Sequence, residues 1–406
     1  MVIPPYIEGQ WHCRIDGAET DFVILNIDRY GNCQFGSLSA YTQDWARQSL
    51  FTVDMKLLND EMEVEAKLSH RYSVNAFYFS GVRSDHLVIE PDPATGQAQL
   101  RGLIKLRLTA RLIPKSDPAA LQEAEFVLFD GNSEIATGKM ITNPNERRST
   151  TIKREQISWE DFKRKFPRDD YRDHPEHRTD IVFRGQRKPY RLRTTMYRTR
   201  RFDMQLYTVE DIKYIQKELQ ARRGLLLDPL NNRDHLNELL AYAQHYEYPT
   251  PLLDWTFSPY VAAFFAFRHE DDYFYPTIFV LEMGRWAQRW YVPSRMGGNL
   301  LELGALNPSG ESNGRAVPQK SVLIYSNCDP LEALIEMRET PAQDYLTAYK
   351  IHRDEREVVL NELRERGITE ETMFPDNDNE TYKLPYVRDE YGMWPMWIRR
   401  SYFSYL

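Results

Sequence analysis

The chain has 406 residues, too many for one ordinary domain, with 42% hydrophobic and 13% aromatic residues, enough to build sizeable cores. A formal charge of −8 argues against a protein that coats nucleic acid but leaves room for a local basic site. The three cysteines form no CxxC pair and no even framework, the start MVIPPYIEGQWHC lacks a signal-peptide layout, and no apolar run approaches the ~20 residues that span a bilayer. The expectation is a cytoplasmic protein without membrane contact.

Residues 1–142 read as a β-rich domain. FVILNID (22–28) and NCQFGSL (32–38) flank a glycine-bearing turn, and VDMKLLN (53–59) and EMEVEAKLSH (61–70) alternate apolar and polar residues around Asn59 and Asp60. QLRGLIKLRLTARL (99–112) and EFVLFDGNSEIATGKM (125–140) continue the alternation. Short antiparallel segments in series predict a sandwich or small barrel, suited to a sensor, adaptor or oligomerisation module. His12, Cys13 and Cys33 do not have metal-ligand spacing, and no metal is expected.

A polar connector at 143–157 leads into a mixed α and β texture over 158–387, so the whole chain is assigned to the α+β class. HLNELLAYAQH (235–245) has helical periodicity; TIFVLEM (277–283) and SVLIYS (321–326) are apolar runs of strand length. AYKIHRDEREVVLNELRERG (348–367) reads as a strand and then a helix stopped by Gly367. An aromatic tail, 388–406, is expected to pack on one of the domains. The arginine-dense RTTMYRTRRFD (193–203) fits a salt-bridged surface better than a phosphate grip. There is no P-loop, GxSxG or HExxH.

Two stretches carry the chemistry. Phe183-Arg184-Gly185-Gln186 follows an apolar strand, where an arginine beside a glycine can reach an anion. In the second, HYEYPTPLLDWTFSPYVAAFFAF (245–267), Asp254 stands between two leucines and a tryptophan. Two readings of Asp254 stay open. It caps the helix beginning near Pro259, with Thr256 and Ser258 helping, or it orients His245 or a ligand hydroxyl, with Tyr246 or Trp255 as a stacking wall.

Together, FRGQ, AQHY, PT-LLDWT, the alanine–phenylalanine helix, Arg315 to Gln319 and GITEETMFPD (367–376) closely resemble the FRG domain family over about 158–387. Two departures stand out: Glu247 replaces the family's glycine after the QH-aromatic pair, and Pro251 replaces an arginine. The resemblance implies a bacterial or phage-related effector of defence or toxin type. The motif order is also similar, more remotely, to the ADP-ribosyltransferase fold, mapping Arg184, then Thr256 with Ala263 to Ala266, then Gln319.

That likeness implies NAD or a related nucleotide as substrate. Arg184, His245, Asp254 and Gln319 would be the catalytic set. Phe183, Gly185, Gln186, Gln244, Tyr246, Thr250, Trp255, Thr256 and Arg315 would bind substrate. Gln319 lacks the charge of the glutamate usual in that fold, which weighs against efficient transfer. The rival readings are a nucleotide- or nucleic-acid-binding module without turnover and, third, a nuclease.

Overall fold

The computed structural model describes the strands within residues 9–139 as backbone, with the side chains of Gln10 and Asn26, and most of 153–375 in full. The longest stretches outside the description in the latter part are 173–179, 271–274, 291–301, 307–316 and 339–343; beyond 375 it covers Leu384 and a hairpin.

The first part is an antiparallel meander. Its strands are β1 (Gly9–Ile15), β2 (Thr20–Tyr30), β3 (Cys33–Thr42), β4 (Gln48–Leu58) and β5 (Glu61–Leu68), then a small hairpin of β6 (Val88–Pro91) and β7 (Ala98–Arg101). It continues with β8 (Leu106–Arg111), β9 (Glu125–Asp130) and β10 (Ser133–Lys139). Because β1 pairs with both β2 and β10, the eight strands other than the hairpin close into a barrel and leave no sheet edge. The side chains of His12, Cys13 and Cys33 lie outside the described residues.

The second part is built on a mixed sheet of seven strands: β11 (Lys153–Gln156), β12 (Val182–Gln186), β13 (Leu252–Thr256), β14 (Thr277–Leu281), β15 (Leu303–Leu306), β16 (Ser321–Ser326) and β17 (Leu346–Lys350). Their order is β11-β17-β14-β12-β13-β16-β15, with only the β11–β17 pair parallel. The expected connector 143–157 is therefore not all linker, since β11 is drawn into this sheet by pairing with β17. A final hairpin, β18 (Tyr386–Asp389) and β19 (Gly392–Pro395), overlaps the aromatic tail, whose remaining residues lie outside the description.

Period-two alternation splits the sheet's side chains between two faces. Val182, Leu253, Trp255, Phe279, Leu281, Val322 and Ile324 share one core with Leu331, Leu334 and Trp286. On the other face two helical layers sit side by side. Phe183, Ile278 and Val280 pack against helices α1 (Trp159–Lys165), α5 (Pro259–Phe267) and α8 (Arg356–Glu365). Leu252, Leu323 and Tyr325 pack against α3 (Ile212–Arg223) and α4 (Arg233–His245). The remaining helices are α2 (Thr195–Arg198), α6 (Met283–Trp290), α7 (Leu331–Arg338) and α9 (Glu370–Met373).

Gln10 joins the barrel to the second part. Its Nε2 donates to Asn26 Oδ1 at 2.9 Å and to the Asn327 carbonyl at 3.2 Å, and its Oε1 accepts from the Asp329 N–H at 2.8 Å. The Asp329 carboxylate in turn takes Arg193 through Nε and Nη2, at 2.8 and 2.6 Å. Arg201 pairs with Asp211, both almost fully buried. The arginine-dense segment is thus ion-paired as expected, but these two arginines are anchors inside the fold rather than a surface.

Candidate functional site

β12 and β13 share a single ladder pair, Phe183 with Thr256. The Arg184 Nη1 donates to the Asp254 carbonyl, so a guanidinium takes up a strand oxygen at this seam. Gly185, one residue on, meets α5 head on: a Cβ there would lie 1.7 Å from the Ala262 carbonyl oxygen. The glycine of FRG is therefore required by the approach of a helix backbone to a strand backbone.

Over the seam, between α4 and α5, opens a cleft of about 420 Å³. Arg184, His245, Asp254, Thr256 and Gln319 all line it, together with Gln244 and Gly185. The alternation that buries Leu253 and Trp255 turns Asp254 outward, so the side chain is exposed in the cleft and carries no burial cost.

Arg184 is half-buried, and its Nε is buried without a hydrogen-bond partner. Burial pushes its pKa down to about 10, opposed by the Asp254 carboxylate and helped by the positive charge of Arg198. It stays cationic at neutral pH. Arg198 reaches solvent, yet partial desolvation lowers its pKa as well, again with Asp254 opposing. Asp254 is the anion to which both arginines respond.

The Asp254 carboxylate accepts from Gln244 Nε2 at 3.0 Å, and the Gln244 Oε1 accepts from the Thr250 hydroxyl. Thr250 is fully buried, so it holds the Gln244 amide in one orientation and does not meet substrate. The helix cap is Ser258, whose Oγ accepts from the Val261 N–H at 3.3 Å, with Pro259 at the first position. The expected capping role of Asp254 is corrected: it sits inside β13, ahead of the Ser258 cap. Thr256 Oγ1 accepts from the Ser258 N–H at 3.0 Å and donates to the Gln319 carbonyl at 2.7 Å. Gln319 Nε2 donates to the Met373 carbonyl at 2.8 Å, tying the cleft floor to α9.

Phe183 and Trp255 are among the residues that line the cleft, but several of the expected ligand contacts present no ring to it. The Phe183 ring is fully buried under α5, in edge contact with Phe166 and Tyr171. Tyr246 is buried, stacked on Tyr242 and hydrogen-bonded by Arg223, and the Trp255 ring is buried on the opposite sheet face, so neither ring is a stacking wall. Gln186 follows on β12 beyond the residues that line the cleft. Arg315 lies outside the described residues. His245 lines the cleft at the end of α4 but contacts the Tyr246 ring, while Gln244 is the neighbour that binds Asp254.

Two partly buried phenylalanines also line the cleft, Phe265 and Phe374, edge to face at 6.1 Å between centroids. Phe265 belongs to the alanine–phenylalanine helix and Phe374 to the Phe-Pro-Asp signature, 109 positions apart by their numbers. Only the fold brings them together. Glu247, the substituted glycine position, also lines the cleft with φ of 57°, a left-handed conformation suited to glycine. Among the described residues no group of three or more His, Cys, Asp or Glu is arranged to hold a metal ion, and no helix is long and apolar enough to cross a membrane.

No curated protein and no solved structure matches the chain. A family model does match, over residues 179–273, which run from the approach to β12 through α5 and hold Arg184, Gln244, His245, Asp254, Thr256 and Phe265. The model is that of the FRG domain, so the segment 179–273 of this chain carries an FRG domain.

Proposed function

We propose that the cleft binds an NAD-type nucleotide and cleaves or transfers from it, as the effector half of a protein whose barrel serves as sensor or adaptor. The observation that carries this reading is the convergence of His245, Asp254, Thr256 and Gln319 on one cleft with Arg184, whose Nε is buried and uncommitted. The residues fit such a ligand. The Arg184 guanidinium meets the pyrophosphate, Phe265 and Phe374 offer ring faces and edges to a base, and Thr256 and Asp254 meet ribose hydroxyls.

In hydrolysis the bond between nicotinamide nitrogen and ribose C1′ breaks, nicotinamide departs with the electron pair, and water adds its oxygen to C1′ and releases a proton. The Asp254 carboxylate supplies the negative charge for the cationic transition state that Gln319 cannot supply. Gln244, held by Thr250, keeps that carboxylate oriented. His245, which lines the same cleft, takes the proton. The ADP-ribosyltransferase likeness and a role in defence are part of the same proposal and rest on the motif resemblance alone.

The test is incubation with NAD and quantification of nicotinamide by chromatography, wild type beside Arg184→Ala. Release by the wild type, reduced at least 10²-fold in the variant, is expected. A wild type that neither binds NAD nor releases nicotinamide overturns the reading. One observation favours a second reading, a nucleotide-binding module without turnover: the Gln319 amide is already spent on the Met373 carbonyl. Saturable NAD binding with no nicotinamide release is its signature.

A further inference from the structure

A second cavity, about 550 Å³, opens where β12 and α5 end. Arg187 and Lys188, just past β12, line it with Arg353 and Arg356 at the start of α8, and with His269. Glu270 and Asp354 are the carboxylates on its wall. Among the described residues that line it, four cations face two carboxylates, of which Asp354 lies 4.0 Å from Arg353 Nε.

A single 3-10 turn, Arg353–Glu355, runs into α8, so the arginines of this wall stand among Asp354, Glu355 and Glu357, the acidic residues that favour a helix start. α8 is ten residues long, and the cavity meets it with Arg353 just before its start and Arg356 at its first position. Glu355, at the N-cap position, makes no side-chain cap bond and gives its carboxylate to the Trp159 N–H at 2.8 Å. Arg356 is fixed there by donating from Nε and Nη2 to the Phe267 and Arg268 carbonyls at 3.0 and 3.3 Å. Both strand and helix walls continue from the first cleft: Arg184 and Gly185 precede Arg187 and Lys188, and Phe265 precedes Ala266 and Phe267.

We propose that this cavity is an anion site for phosphoryl groups. Guanidinium forks match phosphate oxygens, and the volume suits a polyphosphate or phosphate ester. The phosphoryl group comes either from an extension of the nucleotide in the cleft or from a separate ligand.

The test is calorimetry on the full chain with tripolyphosphate, NAD and NADP, using the wild type, Arg187→Ala/Arg353→Ala and Arg184→Ala. Tripolyphosphate is expected to bind the wild type and Arg184→Ala alike and to weaken at least tenfold in the double variant. A preference for NADP over NAD that disappears only in the double variant assigns the phosphate to the cleft's own nucleotide. Tripolyphosphate binding with no NAD binding supports this site and overturns the cleft reading instead. If no form binds tripolyphosphate and NADP is not preferred, or if Arg184→Ala is the variant that loses tripolyphosphate, the proposal is overturned and the cations are a solvated surface. Should the double variant melt early, Lys188→Ala replaces it and is held to the same outcomes.

Discussion

Arg184 and Asp254 are joined through the backbone, the guanidinium Nη1 donating to the Asp254 carbonyl while the Asp254 carboxylate is held by Gln244. The arginine therefore does not neutralise the acid in a closed ion pair. Both remain addressed to the cleft, and the arginine keeps a buried Nε without a partner.

That arrangement separates Arg184 from the arginines that hold the fold. Removing it deletes one hydrogen bond but also relieves a desolvated charge, so Arg184→Ala should cost less than about 2 kcal/mol. Arg201→Ala strands the Asp211 carboxylate, fully buried and otherwise met by the Tyr248 hydroxyl at 2.5 Å, and should cost ~3–5 kcal/mol. Chemical denaturation of the two variants measures the contrast. Equal losses would make Arg184 a structural residue.

Gly185→Ala places a methyl 1.7 Å from the Ala262 carbonyl oxygen, and neither backbone can yield without moving β12 or α5. The penalty should reach or exceed the top of the ~1–3 kcal/mol range for overpacking. A Gly304→Ala control, where the nearest atom is a Glu302 side-chain oxygen at 3.4 Å, should be mild. A melting curve for Gly185→Ala that matches the wild type would refute the close approach.

Gln10→Ala tests the seat of the barrel. It strands the buried Asp329 N–H, at ~1–3 kcal/mol, and removes a donor from the half-buried Asn327 carbonyl. Limited proteolysis between the two parts should accelerate, and the thermal transition should split or shift down. Unchanged cleavage and melting would show that Gln10 does not join them.

The FRG strand, α4, α5 and the apolar strands of the second part are legible because their signals are local: periodicity, a proline after a serine cap, a glycine beside an arginine. Period two alone already requires Trp255 to point away from the face that Asp254 occupies, yet the crowding of His245, Tyr246 and Trp255 along the chain invites the opposite reading. Phe374 and Arg198 could not be joined to the cleft from sequence, because their placement depends on packing across distant segments. Asp254 was ambiguous for another reason. An acid shortly before a proline satisfies a cap pattern, and only the strand that runs to Thr256 moves the cap to Ser258.

Glu247 occupies a left-handed conformation at φ of 57°, which costs a side chain about 1–2 kcal/mol relative to glycine. Its neighbours are anchored, Tyr246 by Arg223 and Tyr248 by Asp211, so the turn cannot relax around it. Glu247→Gly should raise stability by about 0.5–1 kcal/mol after the glycine's extra unfolded-state entropy is counted. Should the variant also change nucleotide affinity, the carboxylate contributes to the cleft it lines. A destabilised Glu247→Gly would contradict the strain.

Ser258, and not Asp254, caps α5, which leaves the carboxylate's chemical role in the cleft to be measured. With Ser258 as the cap, Ser258→Ala should cost ~0.5–2 kcal/mol and leave the cleft's chemistry in place. Asp254→Asn keeps an Oδ1 to accept from Gln244 and sits in an exposed position, so its stability should match the wild type closely. What it loses is the charge to which Arg184 and Arg198 both respond. If that charge stabilises a cationic transition state, nicotinamide release should fall by ~10²-fold or more while binding of NAD weakens little. An Asp254→Asn protein that releases nicotinamide at the wild-type rate would remove the carboxylate from the mechanism and leave its exposed place in β13 without a chemical reason.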